Sequence, residues 1–198
     1  MSTVSRAIEC KKEDPVQQGD IFENVKYNYI ESEDNDTVKV IQYEFPYAIV
    51  VSQGCDVISM SEMASTKKGK VTKFMPSILM CPIYDVTMAK QGNHVNKAFD
   101  ELGIMKIQDQ LFTSEERKIF QKDWHYRYHA LEVECSNGKG FKDSIIDFKH
   151  YFTVPMGYLL KSVDQRLFRL DDIYAEQITL KFATFLSRVA MPDLKEKG

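Results

Sequence analysis

The chain has 198 residues, 43% of them hydrophobic and 12% aromatic, which suits one domain with a sizeable core better than two small ones. A formal net charge of −3 and a pI near 5.9 exclude a broad basic surface, so nucleic acid is disfavoured as a partner except through a local patch. No stretch of eighteen apolar residues occurs and the opening residues carry mixed charge, so neither a membrane span nor a signal peptide is expected and the reading is cytoplasmic.

Residues 1–15, polar and ending in Asp14-Pro15, read as a flexible N-terminal arm, 16–192 as a single barrel-based domain, and 193–198 as a tail. The first ordered signal is Gly19-Asp20-Ile21-Phe22, followed by Val25, Tyr27 and Tyr29, an alternation that predicts a strand entered through a glycine turn. Residues 38–43 alternate again. Phe45-Pro46-Tyr47 then leads into Ala48-Ile49-Val50-Val51, a continuous apolar run typical of a strand buried on both faces. Residues 59–70 read as an exposed loop, and 78–84 as a buried strand in which Pro82 marks an edge or bend.

A helical insertion is expected at about 96–122, because Phe99, Leu102 and Met105 are spaced by three and Thr113-Ser114-Glu115-Glu116 offers a cap for a second helix. Residues 125–134 and 141–152 return to strand. The last element is a helix carrying Ile173, Ile178, Leu180, Phe182, Phe185, Leu186 and Val189, capped by Asp171 or Asp172 and stopped before Pro192. Together these elements predict an α+β protein, a small antiparallel β-barrel with a helical insertion and a C-terminal helix.

The most unusual local sequence is Ser52-Gln53-Gly54-Cys55-Asp56, where a buried strand runs straight into a turn bearing a hydroxyl, an amide, a thiol and a carboxylate. Cys55 is a candidate nucleophile, which would need a base. His150, with Asp147 as the orienting carboxylate, is the candidate. The competing structural reading makes Gly54 and Asp56 turn formers and Cys55 a small buried hydrophobe. Cys10, Cys55, Cys81 and Cys135 are too far apart for a zinc knuckle or redox dithiol, so reduced thiols and no cofactor are expected. A zinc site from Cys55, Cys81, Asp56 and His150 is the alternative. His125 and His129 share a strand face, and Trp124-His125-Tyr126-Arg127-Tyr128 is either a half-buried strand or a base-stacking platform.

Gly19-Asp20-Ile21 and Pro46-Tyr47-Ala48-Ile49-Val50-Val51-Ser52-Gln53-Gly54-Cys55-Asp56 resemble a set of poorly characterised bacterial and phage proteins with a Ser-Gln-x-Cys-Asp motif. The stretches around Ile146-Asp147-Phe148, Arg166-Leu167-Phe168-Arg169-Leu170 and Phe185-Leu186-Ser187-Arg188 are similar to theirs. More distantly, the chain resembles the MazF/PemK toxins, SH3-like barrels that cleave RNA. That resemblance implies that Gly19-Asp20-Ile21 opens the first strand and that Ser52 takes the position of the catalytic hydroxyl. Phe45 stands where those toxins carry an arginine, and acidic residues 31–36 replace a basic loop, so the catalytic set is incomplete.

The resulting expectation is a partner- or ligand-binding barrel protein of a bacterial defence, toxin-antitoxin or phage-derived system. Gln53, Asp56 and Asp147 would bind a protein partner of that module, with a homodimer as the assembly open to such barrels. The alternative is an enzyme using Ser52, Cys55 and His150, either a MazF-like endoribonuclease or a Cys/His-dependent hydrolase.

Overall fold

The computed structural model describes residues 5–34, 36–105, 125–135 and 140–187. The strands are β1 (Ser5–Ile8), β2 (Asp20–Asp34), β3 (Thr37–Val50), β4 (Ser77–Asp85), β5 (Tyr128–Cys135), β6 (Gly140–Asp147), β7 (Phe152–Pro155) and β8 (Arg166–Leu170), and the organising feature is the long β2–β3 hairpin. β2 and β3 pair antiparallel from Ile21↔Ile49 to Asp34↔Thr37, with one irregularity between Ile30 and Ser32. Only the base of this hairpin joins the rest of the sheet, Asp20 to Phe22 pairing with β8 and Tyr47 to Val50 with β4. Its remaining length forms a two-stranded arm.

The eight strands run in the order β3-β2-β8-β1-β5-β6-β4-β7, and a further β3–β4 pairing closes the sheet into a ring. The sheet is mixed, since β1 pairs parallel with β5 and antiparallel with β8. The expected antiparallel barrel is corrected on this point, and the parallel strand comes from the segment read as an arm. Arg166 and Arg169 fix the following stretch by donating to the carbonyls of Lys11, Asp14 and Pro15. These bonds satisfy backbone acceptors that would otherwise be left against the sheet.

β6 and β7 lie in line along one edge of β4, β6 opposite Ile83 to Asp85 and β7 opposite Ser77 to Met80. A short 3₁₀ turn, Phe148–His150, interrupts them. The strand therefore stops pairing at the point where Asp147 and His150 are displayed. Pro82 is accommodated within β4, opposite Ala48.

Alternation divides the core in two. Phe22, Ala48, Val50, Ile78, Met80 and Ile145 belong to one apolar cluster, Ile21, Ile49, Cys81, Ile83 and Ile146 to the other. As its apolar run predicts, β3 is buried on both faces, Ala48, Ile49, Val50 and Val51 all being inaccessible. Five helices cover the ring among the described residues: α1 (Gly54–Thr66), α2 (Val86–Lys90), α3 (Asn96–Glu101), α4 (Met156–Lys161) and α5 (Asp172–Leu186).

α1 overturns the loop expected over 59–70. It buries Val57, Met60 and Ser61, a stripe too narrow to stand out in a polar sequence, and ends at Lys67 in the left-handed conformation. α5 appears where the helical period placed it. It buries Ala175, Ile178 and Phe182, while Ile173 and Leu180, expected inward, are exposed. Of the expected insertion, α3 is present and is preceded by α2, which Asp85 caps through its Oδ1 at 2.7 Å from the Thr87 N–H. The second helix expected around 113–120, together with Trp124 and Val189, lies outside the described residues. No helix among the described residues is long and apolar enough to cross a membrane.

Candidate functional site

The Ser52 to Asp56 turn joins β3 to α1, and its polar groups are used by the backbone around it. Ser52 is buried, and its Oγ accepts the Leu79 N–H at 2.8 Å. The Gln53 carbonyl accepts the N–H groups of Asp56 and Val57, each at 3.2 Å, which starts the helix. Gln18 Oε1 accepts the Gly54 N–H at 2.8 Å, while Gln18 Nε2 donates to Thr179 Oγ1 at 2.8 Å, tying the turn to α5. Cys55 is exposed rather than a buried hydrophobe, with its Sγ 3.9 Å from Asp56 Oδ1. It lines a cleft of about 370 Å³ with Gln18, Gln53, Asp172 and Glu176.

Gly19-Asp20-Ile21 is equally explained by construction. Gly19 has φ +81°, and a Cβ there would stand 2.6 Å from the Ala175 Cβ, so the turn requires glycine. Asp20 is fully buried and accepts from Arg169 Nε at 2.6 Å, Arg166 Nη1 at 3.0 Å and the Gln17 N–H at 2.8 Å. Its carboxylate is saturated by two guanidiniums and a backbone amide, which is how a buried charge is tolerated.

Asp147 is the second fully buried carboxylate and has a different surround. Arg127 donates to it through Nε at 2.8 Å and Nη2 at 2.7 Å, a bidentate pair, and the Lys149 N–H donates at 3.0 Å. His94 Nε2 lies 3.4 Å from Asp147 Oδ2 and also 3.4 Å from the Tyr128 hydroxyl. Burial pushes the Asp147 carboxyl up, and the hydrogen bonds from Arg127 and His94 more than offset it, holding the pKa at about 2. His94 Nδ1 is buried without a hydrogen-bond partner.

From this cluster the contacts run outward. The His94 ring meets the Tyr84 ring edge-on at 5.0 Å, and the Tyr84 hydroxyl lies 2.8 Å from His150 Nδ1. Burial raises the Tyr84 pKa well above its ordinary 10 and lowers that of His150 below 6.5, so a neutral phenol faces a neutral imidazole at pH 7. The two groups share one hydrogen bond, whose direction is set by the imidazole tautomer.

His150 opens on a cleft of about 410 Å³ beside the hairpin arm. Tyr27 and Tyr29 of β2 and Tyr43 and Phe45 of β3 lie on one face of the arm, Tyr27 directly opposite Tyr43 and Phe45 opposite Val25. Their rings form a row, Tyr29 on Tyr43 at 5.7 Å, Tyr43 beside Phe45 at 6.2 Å, and Phe45 on Phe152 at 4.4 Å. The His150 ring stands edge-on to Phe45 at 5.1 Å. Glu101, from the end of α3, reaches the same cleft. Its Oε2 accepts the Tyr29 hydroxyl at 2.5 Å and also the Tyr43 hydroxyl, and these bonds lower its pKa. Its Oε1 is buried without a partner.

The structure thus brings Asp147 and His150 into one connected network and places Cys55 elsewhere. Cys55 and His150 line different clefts. Cys81 is buried in the apolar core, where desolvation raises its thiol pKa well above 9. Among the described residues no group of three metal-ligating side chains occurs, so the zinc set of Cys55, Cys81, Asp56 and His150 is not assembled.

Sequence reasoning missed Tyr29, Tyr43, Phe45, His94 and Glu101 as site residues. Tyr27/Tyr29 and Tyr43/Phe45 carry a readable signal, aromatics two apart on strands that pair. Glu101 and His94 carry none, because only the tertiary fold brings the α2–α3 segment to the hairpin. No family model, curated protein or solved structure matches the chain.

Proposed function

We propose that this is a ligand-binding protein whose site is the aromatic cleft between the β2–β3 arm and α3, and that the ring of strands is an SH3-like, MazF-like barrel used as its scaffold. The observation that carries the reading is the convergence of a stacked aromatic row, a histidine and a partly unsatisfied carboxylate in one cavity of ligand size. Aromatic walls with a few fixed polar groups are what a small-molecule site needs. The Gly19-Asp20-Ile21 start of the hairpin supports the scaffold part of the reading.

This moves the binding role from Gln53 and Asp56 to the cleft, with Asp147 and His150 retained behind and beside it. Separation of Cys55 from His150 counts against a cysteine hydrolase, and the Ser52 hydroxyl, occupied by Leu79, counts against a serine-based ribonuclease. Saturation-transfer NMR with benzamidine, benzamide and guanosine tests the reading. At least one of these probes should bind, and Tyr29→Ala should weaken it tenfold or more while leaving the fold intact. Absence of binding by all three, or binding indifferent to Tyr29→Ala, would overturn the proposal.

A further inference from the structure

The cleft has a distinct electrostatic character. Its charged lining residues are Glu31 and Glu101. Glu31 pairs with Lys39, whereas Glu101 takes its hydrogen bonds from two neutral phenols and forms no ion pair among the described residues. A carboxylate has room for about four hydrogen bonds. Here one oxygen accepts two and the other accepts none, although it is shielded from water. Because Tyr29 and Tyr43 hold Glu101 below its usual pKa, it keeps its negative charge at neutral pH.

The aromatic row adds a second preference in the same direction. The face of a tyrosine or phenylalanine ring is the negative end of its quadrupole and attracts cations. The chain already uses this on one ring: Lys97 Nζ sits 4.1 Å from the centre of Tyr43 while donating to the Gln42 carbonyl at 2.6 Å. His150 contributes no opposing charge, since burial lowers its pKa. The cations nearest the cleft are already engaged, Lys97 with Tyr43 and the Gln42 carbonyl and Lys39 with Glu31, so a phosphate-bearing ligand would meet two carboxylates without a free cation to offset them.

We infer that the cleft binds a small planar organic cation bearing N–H donors, of the amidinium or guanidinium class, stacked on the Tyr29–Tyr43 row with a donor turned to Glu101. The inference rests on the ligand-binding reading above and goes beyond it in naming the ligand's charge and donor pattern. A flat cation satisfies two features together: the ring faces of the row and the charge of an ionised carboxylate beside them. Compact ammonium ions fit less well, being strongly hydrated point charges without a face to stack.

Benzamidine and benzamide have nearly the same shape and differ in charge, which makes them the direct test. Titrated by calorimetry or NMR at low salt, benzamidine should bind at least tenfold more tightly than benzamide. Glu101→Gln retains an acceptor for the tyrosine hydroxyls but removes the charge, and should bring the two probes within about threefold of each other. Circular dichroism confirms that this variant folds. Equal binding of both probes to the wild-type protein overturns the cation inference while leaving the ligand-binding cleft in place. Tighter binding of guanosine than of benzamidine overturns it in favour of a neutral heterocycle. Binding of none of the three removes the cleft as a site, and both readings fall together.

Discussion

Strand β3 serves two neighbourhoods: its middle, at Tyr43 and Phe45, faces the aromatic cleft, and its end runs through Ser52 into α1. In the second the polar groups serve the backbone: Ser52 accepts from Leu79, Gly54 donates to Gln18, and the Gln53 carbonyl accepts from Asp56 and Val57, bonds that turn the chain and start a helix, leaving Cys55 on the surface. The first is assembled from β2, β3, α3 and the turn between β6 and β7. A run of chemically varied residues after a buried strand marks an abrupt change of backbone direction, and chemistry is one of several reasons for it. Convergence of aromatic rings and an ionised carboxylate from distant elements is harder to account for by packing alone.

The largest expected effect lies behind the cleft. Asp147→Ala leaves Arg127 without its buried bidentate partner and removes the carboxylate facing His94, and should destabilise the protein by about 3–5 kcal/mol. Urea denaturation measures this. A loss below about 1 kcal/mol would mean that the network does not hold up the cleft. The same groups set the acid side of the stability profile. Asp147 and His150 both have depressed folded-state pKa values, so each contributes stability above its unfolded value and loses it as pH falls. The His150 contribution declines below the ordinary 6.5, and that of Asp147 declines between the ordinary 3.8 and about 2. Asp147→Ala should flatten the lower of these two steps and, because the Asp147 charge raises the His150 pKa, deepen the upper one.

The legibility of the fold follows the same division. The β2 and β3 strands and the doubly buried Ala48 to Val51 run were readable because alternation and continuous apolarity are local patterns. α1 was not, because its buried stripe, Val57 and Met60, sits among serines and charged residues that resemble a loop. Closure of the ring through β1 was not readable either. A four-residue strand of mixed polarity, Ser5–Ile8, acquires its role only from β5 and β8 on either side. Residue type alone singled out His150 and Asp147, which the structure links through Tyr84 and His94, whereas Cys55, named as their partner, lines a different cleft. Glu101 could not have been found, since nothing in the sequence relates it to the tyrosines it meets.

At the other neighbourhood the effects should be smaller and confined to folding. Ser52→Ala removes the acceptor of the Leu79 N–H and should cost about 1–2 kcal/mol in the same denaturation assay. Benzamidine affinity should stay within about threefold of wild type, because the hydroxyl serves the strand-to-helix junction. A loss of tenfold or more at unchanged stability would give Ser52 a role in binding.

Cys55→Ser gives the sharpest contrast because its expected effect is the smallest. The thiol is exposed, its nearest polar neighbour is Asp56 at 3.9 Å, and the exchange keeps size and a polar hydrogen, so stability should change by less than about 0.5 kcal/mol. Binding measured by NMR should be unchanged, since Cys55 lines a cleft separate from that of His150. If Cys55→Ser instead abolished binding while Tyr29→Ala left it intact, the ligand would sit at the start of α1. The unusual turn, rather than the aromatic arm, would then be the functional end of β3.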